Sequence, residues 1–297
     1  MKNFMRLTLL VILTVFIFTS LNAMSWPSGD AVLINNFGTN DRGRPVLGMV
    51  FGDGTNVLAA ESGEVIFSRS KNNQTGFSVS RLPSPLGAWT AVDHGDGLIS
   101  IYSRYTDDDI QQKTNQIEKE KPIASSGISG WSSRRGFYFM IFDRWERRWI
   151  NPAMIITPIQ ETRPPQIISV ELRNEQGNIV QSRNLIQGRY KVLVNAAGGS
   201  TRATQLNFPF AQQAPLRIVC SVNGAEVGTL NFEAVSARDG ILMVSRNGLV
   251  PVRQVYASSP AFEAAEIFLT RGQVTLEVIV QDINGASRSV INRLIVN

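Results

Sequence analysis

Eight consecutive residues, Gly136-Phe137-Tyr138-Phe139-Met140-Ile141-Phe142-Asp143, constrain this chain more than any other stretch. Side chains alternate across a strand, so Phe137, Phe139 and Ile141 face one way and Tyr138, Met140 and Phe142 the other. Both faces are apolar, which requires a sheet with something covering it on each side. A glycine-rich approach, Ser126-Gly127-Ile128-Ser129-Gly130, leads in, and the polar turn from Asp143 to Arg148 leads out to Trp149-Ile150-Asn151-Pro152.

The 297 residues around this strand are enough for two domains with sizeable cores, and 43% hydrophobic with 18% charged residues is the balance of a folded chain. The N-terminus differs in kind. Lys2 and Arg6 precede an apolar run from Leu7 to Phe18, and Thr19-Ser20-Leu21-Asn22-Ala23 ends on a small residue. That is the layout of a secretory signal peptide over residues 1–23, with an uncleaved anchor as the alternative. The run is short for a bilayer span, which takes about 20 apolar residues. No Cys stands near the cut, which excludes a lipid-modified N-terminal cysteine. Net charge is +5, and losing Lys2 and Arg6 leaves it modestly positive. An exported basic chain meets anionic wall polymers or headgroups, not nucleic acid. Cys220, the sole cysteine, alternates with Leu216 and Ile218 and reads as a buried small hydrophobe.

Four stretches of the first half share one pattern. Val46-Leu47-Gly48-Met49-Val50 comes first, then Gly54-Thr55-Asn56-Val57 with Gly63 and Val65, then His94-Gly95 with Tyr102-Ser103-Arg104-Tyr105, and last the strand at 136–143. Together they resemble a lysostaphin-type (LytM) zinc endopeptidase domain, whose corresponding motifs are His-x-Gly-x-Asp, Gly-Thr-Pro-Val, His-Gly with Tyr-x-His-Leu, and His-x-His-Phe-Glu. The resemblance implies a domain over residues 24–160, an antiparallel sheet of duplicated-hybrid-motif type, and a glycine turn pairing two strands within 54–67. It also implies that His94, the only histidine, shapes a hairpin turn and is no metal ligand.

The family's chemistry does not follow. The positions matching its three zinc ligands are Val46, Val50 and Phe139, and those matching its two catalytic histidines are Arg104 and Phe137. Catalytic zinc needs His nitrogen, carboxylate oxygen or thiolate, usually three protein ligands and a water. Valine and phenylalanine have no lone pair to give. No zinc and no other cofactor is therefore expected. Val46, Val50, Phe137 and Phe139, with Arg104 at the edge, are expected to meet where the metal would sit. They form either filler or a groove for a partner segment, since aromatics and Arg are enriched at interface hot spots. Trp131, Trp145 and Trp149 would extend such a groove, and Leu82-Pro83-Ser84-Pro85-Leu86 would rim it. The charged excursion from Thr106 to Lys121 reads as solvated.

After a proline-stiffened linker at 161–165, short β-rich runs dominate residues 166–297: Gln166 to Leu172, Gly188 to Val194, Leu216 to Val222, Val227 to Phe232, Ile241 to Ser245, Val274 to Gln281 and Ser287 to Val296. Asn223-Gly224, Asp239-Gly240 and Asn284-Gly285 supply turns between them. This predicts an antiparallel sandwich of immunoglobulin or fibronectin type, with Ala261 to Glu266 as one helical turn. The whole is thus expected to be all-β: a LytM-type sheet domain followed by an Ig-like sandwich.

Three functions follow from the resemblance. The first is a non-catalytic envelope protein of the periplasm or cell wall that binds peptidoglycan or a partner such as a wall hydrolase. The second is a working zinc endopeptidase with an atypical site. The third is a purely structural envelope protein.

Overall fold

The computed structural model describes residues 24–52, 54–69, 84–106, 115–159, 164–180, 184–198 and 213–297. The segment read as a signal peptide, residues 161–163 of the linker, the run Asp107-Asp108-Asp109 and the pair Leu82-Pro83 lie outside the described residues. Nearly everything described is strand, turn or coil.

The first half contains β1 (Val32–Asn35), β2 (Met49–Gly52), β3 (Asn56–Leu58), β4 (Gly63–Arg69), β5 (Ala88–Asp93), β6 (Leu98–Tyr105), β7 (Pro122–Ser125), β8 (Gly136–Asp143) and β9 (Arg148–Ile150), all but β3 and β7 in one sheet. β8 is the centre, as its two apolar faces require. β6 pairs along one edge; β2 and then β9 pair along the other, all antiparallel. β5 and β4 extend the sheet beyond β6, and β1 lies on β2. Phe137, Phe139 and Ile141 point into a core with Phe51, Val92, Tyr102 and Ile123. The Phe51 and Phe137 rings stack with centroids 5.0 Å apart, and Tyr102 meets Phe139 at 5.3 Å.

Two expectations fail in this half. The strands within 54–67 do not pair with each other: β3 pairs with β7 in a small separate sheet, while β4 pairs with β5. Ala59 to Ser62 carries the chain from one sheet to the other, so the glycine turn changes sheets instead of closing a hairpin. Nor is the stretch before Lys121 wholly solvated, because Gln116 and Ile117 pair with Glu64 and Gly63 at the sheet edge and Ile117 is buried.

The second half is a sandwich. One sheet holds β10 (Gln166–Asn174) and β11 (Gly188–Ala197). The other begins with β12 (Arg217–Val222), β13 (Ala225–Arg238), β14 (Ile241–Arg246) and β15 (Leu249–Pro251). A five-residue helix α1 (Val252–Tyr256) then leads to β16 (Phe262–Leu269), which completes the first sheet beside β11, and β17 (Gly272–Gln281) and β18 (Ser287–Val296) complete the second. Ile218, Cys220, Leu230, Phe232, Val278 and Val280 from one sheet pack on Val192, Val194, Ala264 and Ile267 from the other. Burial pushes the Cys220 thiol up to about 12, consistent with an inert hydrophobe.

The helical turn expected at Ala261 to Glu266 is a strand, and the helix lies ten residues earlier. The reason is Glu263. Its carboxylate is buried yet paired with Lys191 Nζ at 3.1 Å and Arg246 at 2.8 Å, partners far away in sequence. With that charge satisfied, Phe262-Glu263-Ala264-Ala265 can lie against the core as sheet.

The two halves share one sheet. In the register of β9 with β13, Arg148 faces Ser236, Trp149 faces Val235 and Ile150 faces Ala234. Side chains reinforce the joint. Phe37 sits in the core of the second half, Tyr256 Oη donates to Gly38 O at 2.8 Å, and Asn36 exchanges two hydrogen bonds with the Ala214 backbone.

Candidate functional site

Register decides which residues can share a site. Across β2, β8, β6, β5 and β4 one row reads Val50, Tyr138, Ser103, Trp89 and Arg69. The adjacent row reads Met49, Phe139 and Tyr102, and it points to the opposite face. Val50 therefore shares a face with Tyr138, and not with Phe137 or Phe139. The expected meeting of Phe137 and Phe139 with Val46, Val50 and Arg104 does not occur, because a shift of one residue along a strand moves its side chains to the other face. Phe137 and Phe139 belong to the core, with Phe139 0% exposed.

The face requirement also corrects the motif. A metal held jointly from position 50 and from β8 needs both side chains on one face. The His-x-His-Phe-Glu pattern then falls on Gly136-Phe137-Tyr138-Phe139-Met140, which matches its Phe at Phe139. Two glycines show how tightly this frame is closed. A Cβ on Gly48 would lie 2.1 Å from Phe139 O, and one on Gly136 would lie 2.0 Å from Phe51 O. No side chain, histidine included, fits at 136 without moving β2.

Arg104 reaches the same face by a different route. Opposite β5, Ser103 pairs with Trp89 and Tyr105 with Ala88, so Arg104 is an extra residue in a β-bulge. Its φ is +64°, a left-handed value that non-glycine residues rarely adopt. The guanidinium lies over the Tyr138 ring, with Cζ 4.9 Å from the ring centroid, a cation–π contact. Its Nε is buried and has no hydrogen-bond partner among the described residues. The Arg104 backbone N–H donates to Leu86 O at 2.8 Å, tying the bulge to the 84–88 loop.

Tyr138 is the member that motif reasoning missed. It is 8% exposed, and its Oη accepts a hydrogen bond from the Leu47 N–H at 2.7 Å. Burial holds its proton well above the usual phenol range, against the opposing pull of the Leu47 N–H and the Arg104 charge. The sequence signal for it was the phenylalanine that follows the second histidine of the pattern, which Phe139 matches once Tyr138 takes that histidine's place.

The donor set at this place does not fit a zinc ion. Val46 and Val50 are hydrocarbon, Tyr138 keeps its proton, and the Arg104 cation stands beside it. Among the described residues, no three His, Cys, Asp or Glu side chains come together as a metal-holding group. The apolar cleft expected here is instead filled by Tyr138 under Arg104, with the half-buried Val50 across from Tyr138 on β2.

Around this centre the surface is aromatic. Phe67 and Trp89 stack with centroids 4.2 Å apart on the same face of the sheet. The loop before β8 exposes Ile128 at 65% and Trp131 at 75%, and it is held to the 84–88 loop by Trp131 N–H donating to Pro85 O. Trp149 does not extend the site, because it packs toward the second half. Trp145 lies against Gly97 in the β5–β6 turn. His94 serves that turn as expected: its Nδ1 is 2.8 Å from Ser62 O and its Nε2 is 2.9 Å from Ser100 Oγ.

The peptidase family M23 model matches residues 47–152, and a second family model matches residues 164–297. No curated protein matches the chain. Among solved structures, the catalytic domain of the prophage-encoded M23 protein EnpA from Enterococcus faecalis is 16% identical, covering 43% of this chain and 94% of that one, with a TM-score of 0.35. The catalytic domain of lysostaphin from Staphylococcus simulans is 20% identical over 37% of this chain and 77% of its own, with a TM-score of 0.30. The SpoIIQ–SpoIIIAH pore-forming complex contributes a match at 18% identity over 45% of this chain and 90% of that one, with a TM-score of 0.34. Residues 47–152 thus match peptidase family M23, and the second β domain, residues 164–297, matches a family model of its own.

Proposed function

We propose that this chain is an exported, non-catalytic M23-type protein of the cell envelope that binds peptidoglycan without cleaving it. The observation behind this reading is the pairing of a kept frame with lost donors. β2, β6 and β8 lie within the stretch that the family model matches, while the positions that motif spacing gives to the family's metal ligands and catalytic histidines carry Val46, Val50, Tyr138, Gly136 and Arg104. Hydrolysis of a peptide bond by this family's route needs a Lewis acid and a base. Hydrocarbon, a protonated phenol and a guanidinium supply neither. The N-terminal leader pattern and the modest positive charge suit a chain delivered to an anionic wall. Through β9 and β13 the second half holds the M23 domain in a fixed attitude, as a wall-binding module with a presenting domain would.

The test mixes the purified exported chain with isolated sacculi, with and without added zinc. Retention on the sacculi with no release of soluble wall fragments is expected under both conditions. Released fragments together with one zinc per chain would restore the peptidase reading. Failure to sediment with sacculi would remove peptidoglycan as the ligand and leave an envelope protein, such as a wall hydrolase, as the partner to seek.

A further inference from the structure

We infer that Arg104 is a recognition site for a peptide carboxylate: an extended wall peptide crosses β6 and β8 and sets a free carboxylate on the Arg104 guanidinium above Tyr138. This rests on the peptidoglycan reading and gives it a chemical anchor, since the stem peptides of that polymer bear free carboxylates.

Three features of the site converge on it. The first is the direction of the side chain. Arg104 follows Ser103, which faces the Tyr138 row, so simple alternation would send the guanidinium into the phenylalanine core. The bulge at φ +64° turns it back over the Tyr138 ring. Such a backbone is strained for a non-glycine residue and persists only where its surroundings hold it, here by the bond from the Arg104 N–H to Leu86 O. The second is unspent bonding capacity. The aromatic ring accepts the cation but takes none of its in-plane N–H donors, and Nε is buried without a partner among the described residues. Arg104 has no ion pair among the described residues either. Asp41, whose charge reaches Tyr138, does not close on it. A buried, unpaired donor on a guanidinium is costly to leave unmet, and the planar fork matches a carboxylate in two parallel bonds. The third is the flank. Phe67 and Trp89 on one side, with Ile128 and Trp131 on the nearby loop, give apolar surface for the rest of the peptide.

The experiment uses the full exported chain and a synthetic tetrapeptide ending in D-alanine, made as the free acid and as the carboxamide, with binding read by calorimetry. The free acid is expected to bind about tenfold or more tightly than the amide, the gain of one charge-assisted pair. Arg104→Gln should bring the free acid down to the affinity of the amide and leave the amide unchanged, while Arg104→Lys recovers part of the preference. Thermal unfolding of each variant checks that it is folded. Equal binding of the two forms by the native chain, or an equal loss of both in Arg104→Gln, overturns the carboxylate site. If the sacculi still bind, the wider reading survives that result. If they do not, both fall together.

Discussion

The two faces of β8 were put to opposite uses. Phe137, Phe139 and Ile141 look into a packed core, closed from outside by the strap from Met24 to Asp30. There Trp26 meets Phe51 edge to face at 6.0 Å and donates from Nε1 to Thr157 O at 2.8 Å. Tyr138 looks toward Val50 and lies under Arg104, with the Leu47 N–H on its hydroxyl. The difference teaches which face of the strand can vary. Core residues such as Phe139 are fixed by volume and contact on every side, whereas the half-buried positions across from Tyr138, Val50 among them, are less constrained.

Grafting donors back separates the faces most sharply. Val50→Asp and Tyr138→His place two donors on one face, Val46→His adds a third from the segment before β2, and Arg104→Gln removes the cation. This variant should bind zinc at about micromolar affinity or better, about 8 kcal/mol or more. The same set with the histidine at position 139 in place of 138 points it into the core. That variant should bind no zinc and lose several kcal/mol of stability, since it buries an imidazole without a partner. Zinc titration of both variants reads the register directly, and equal binding would show that 138 and 139 were assigned to the wrong faces.

The next effect is simple truncation. Phe139→Ala empties a fully buried site and should cost about 3–5 kcal/mol in urea unfolding. Val50→Ala, on the half-buried side, should cost about 1 kcal/mol or less. Between them in size stands the joint of the two halves. Asn151 is buried, donates from Nδ2 to Phe232 O at 3.1 Å and accepts from Ala153 N–H at 3.1 Å. Asn151→Ala should lower stability by about 1–3 kcal/mol, and native unfolding should be one transition by both near-UV signal and calorimetry. Two separated transitions in the native protein would show that the shared sheet does not couple the halves.

Much of this was legible in the sequence. The strand at 136–143 could be bounded to the residue because its apolar run is doubly periodic and ends on Asp143. That carboxylate accepts from the N–H groups of Trp145 and Glu146 and so fixes the turn. Motif spacing placed β2, β5, β6 and β8 in order. What alternation cannot supply is which face is functional, so Phe139 was matched in place of Tyr138 until the partner strand set the register. The bulge at Arg104 was equally hidden, because nothing in Tyr102-Ser103-Arg104-Tyr105 announces a left-handed residue. The strand at Phe262 was missed because Glu263 is neutralised from two other strands. The pairing of β9 with β13 was missed because three residues, Arg148-Trp149-Ile150, are too short to signal a partner.

The smallest expected effect lies at the end of the strap that closes the packed face. Asp30 Oδ1 accepts from Ser28 Oγ, and Oδ2 accepts from the Thr55 hydroxyl and N–H. The Ser28 hydrogen bond first, and those of Thr55 after it, hold the Asp30 carboxyl below its ordinary value of 3.8. A carboxyl whose folded value is depressed adds stability that is fully present above its unfolded value and is lost as pH falls through the folded one. Asp30→Asn should therefore cost well under about 1 kcal/mol near neutrality, because the side chain is exposed and its bonds are shared with water. The difference between native and variant should shrink as pH drops below 3.8. Urea midpoints measured in parallel at neutral and acid pH read this out. A gap that widened on acidification would mean that the strap is held by its aromatic contacts alone, and that Asp30 has no part in closing the core side of β8.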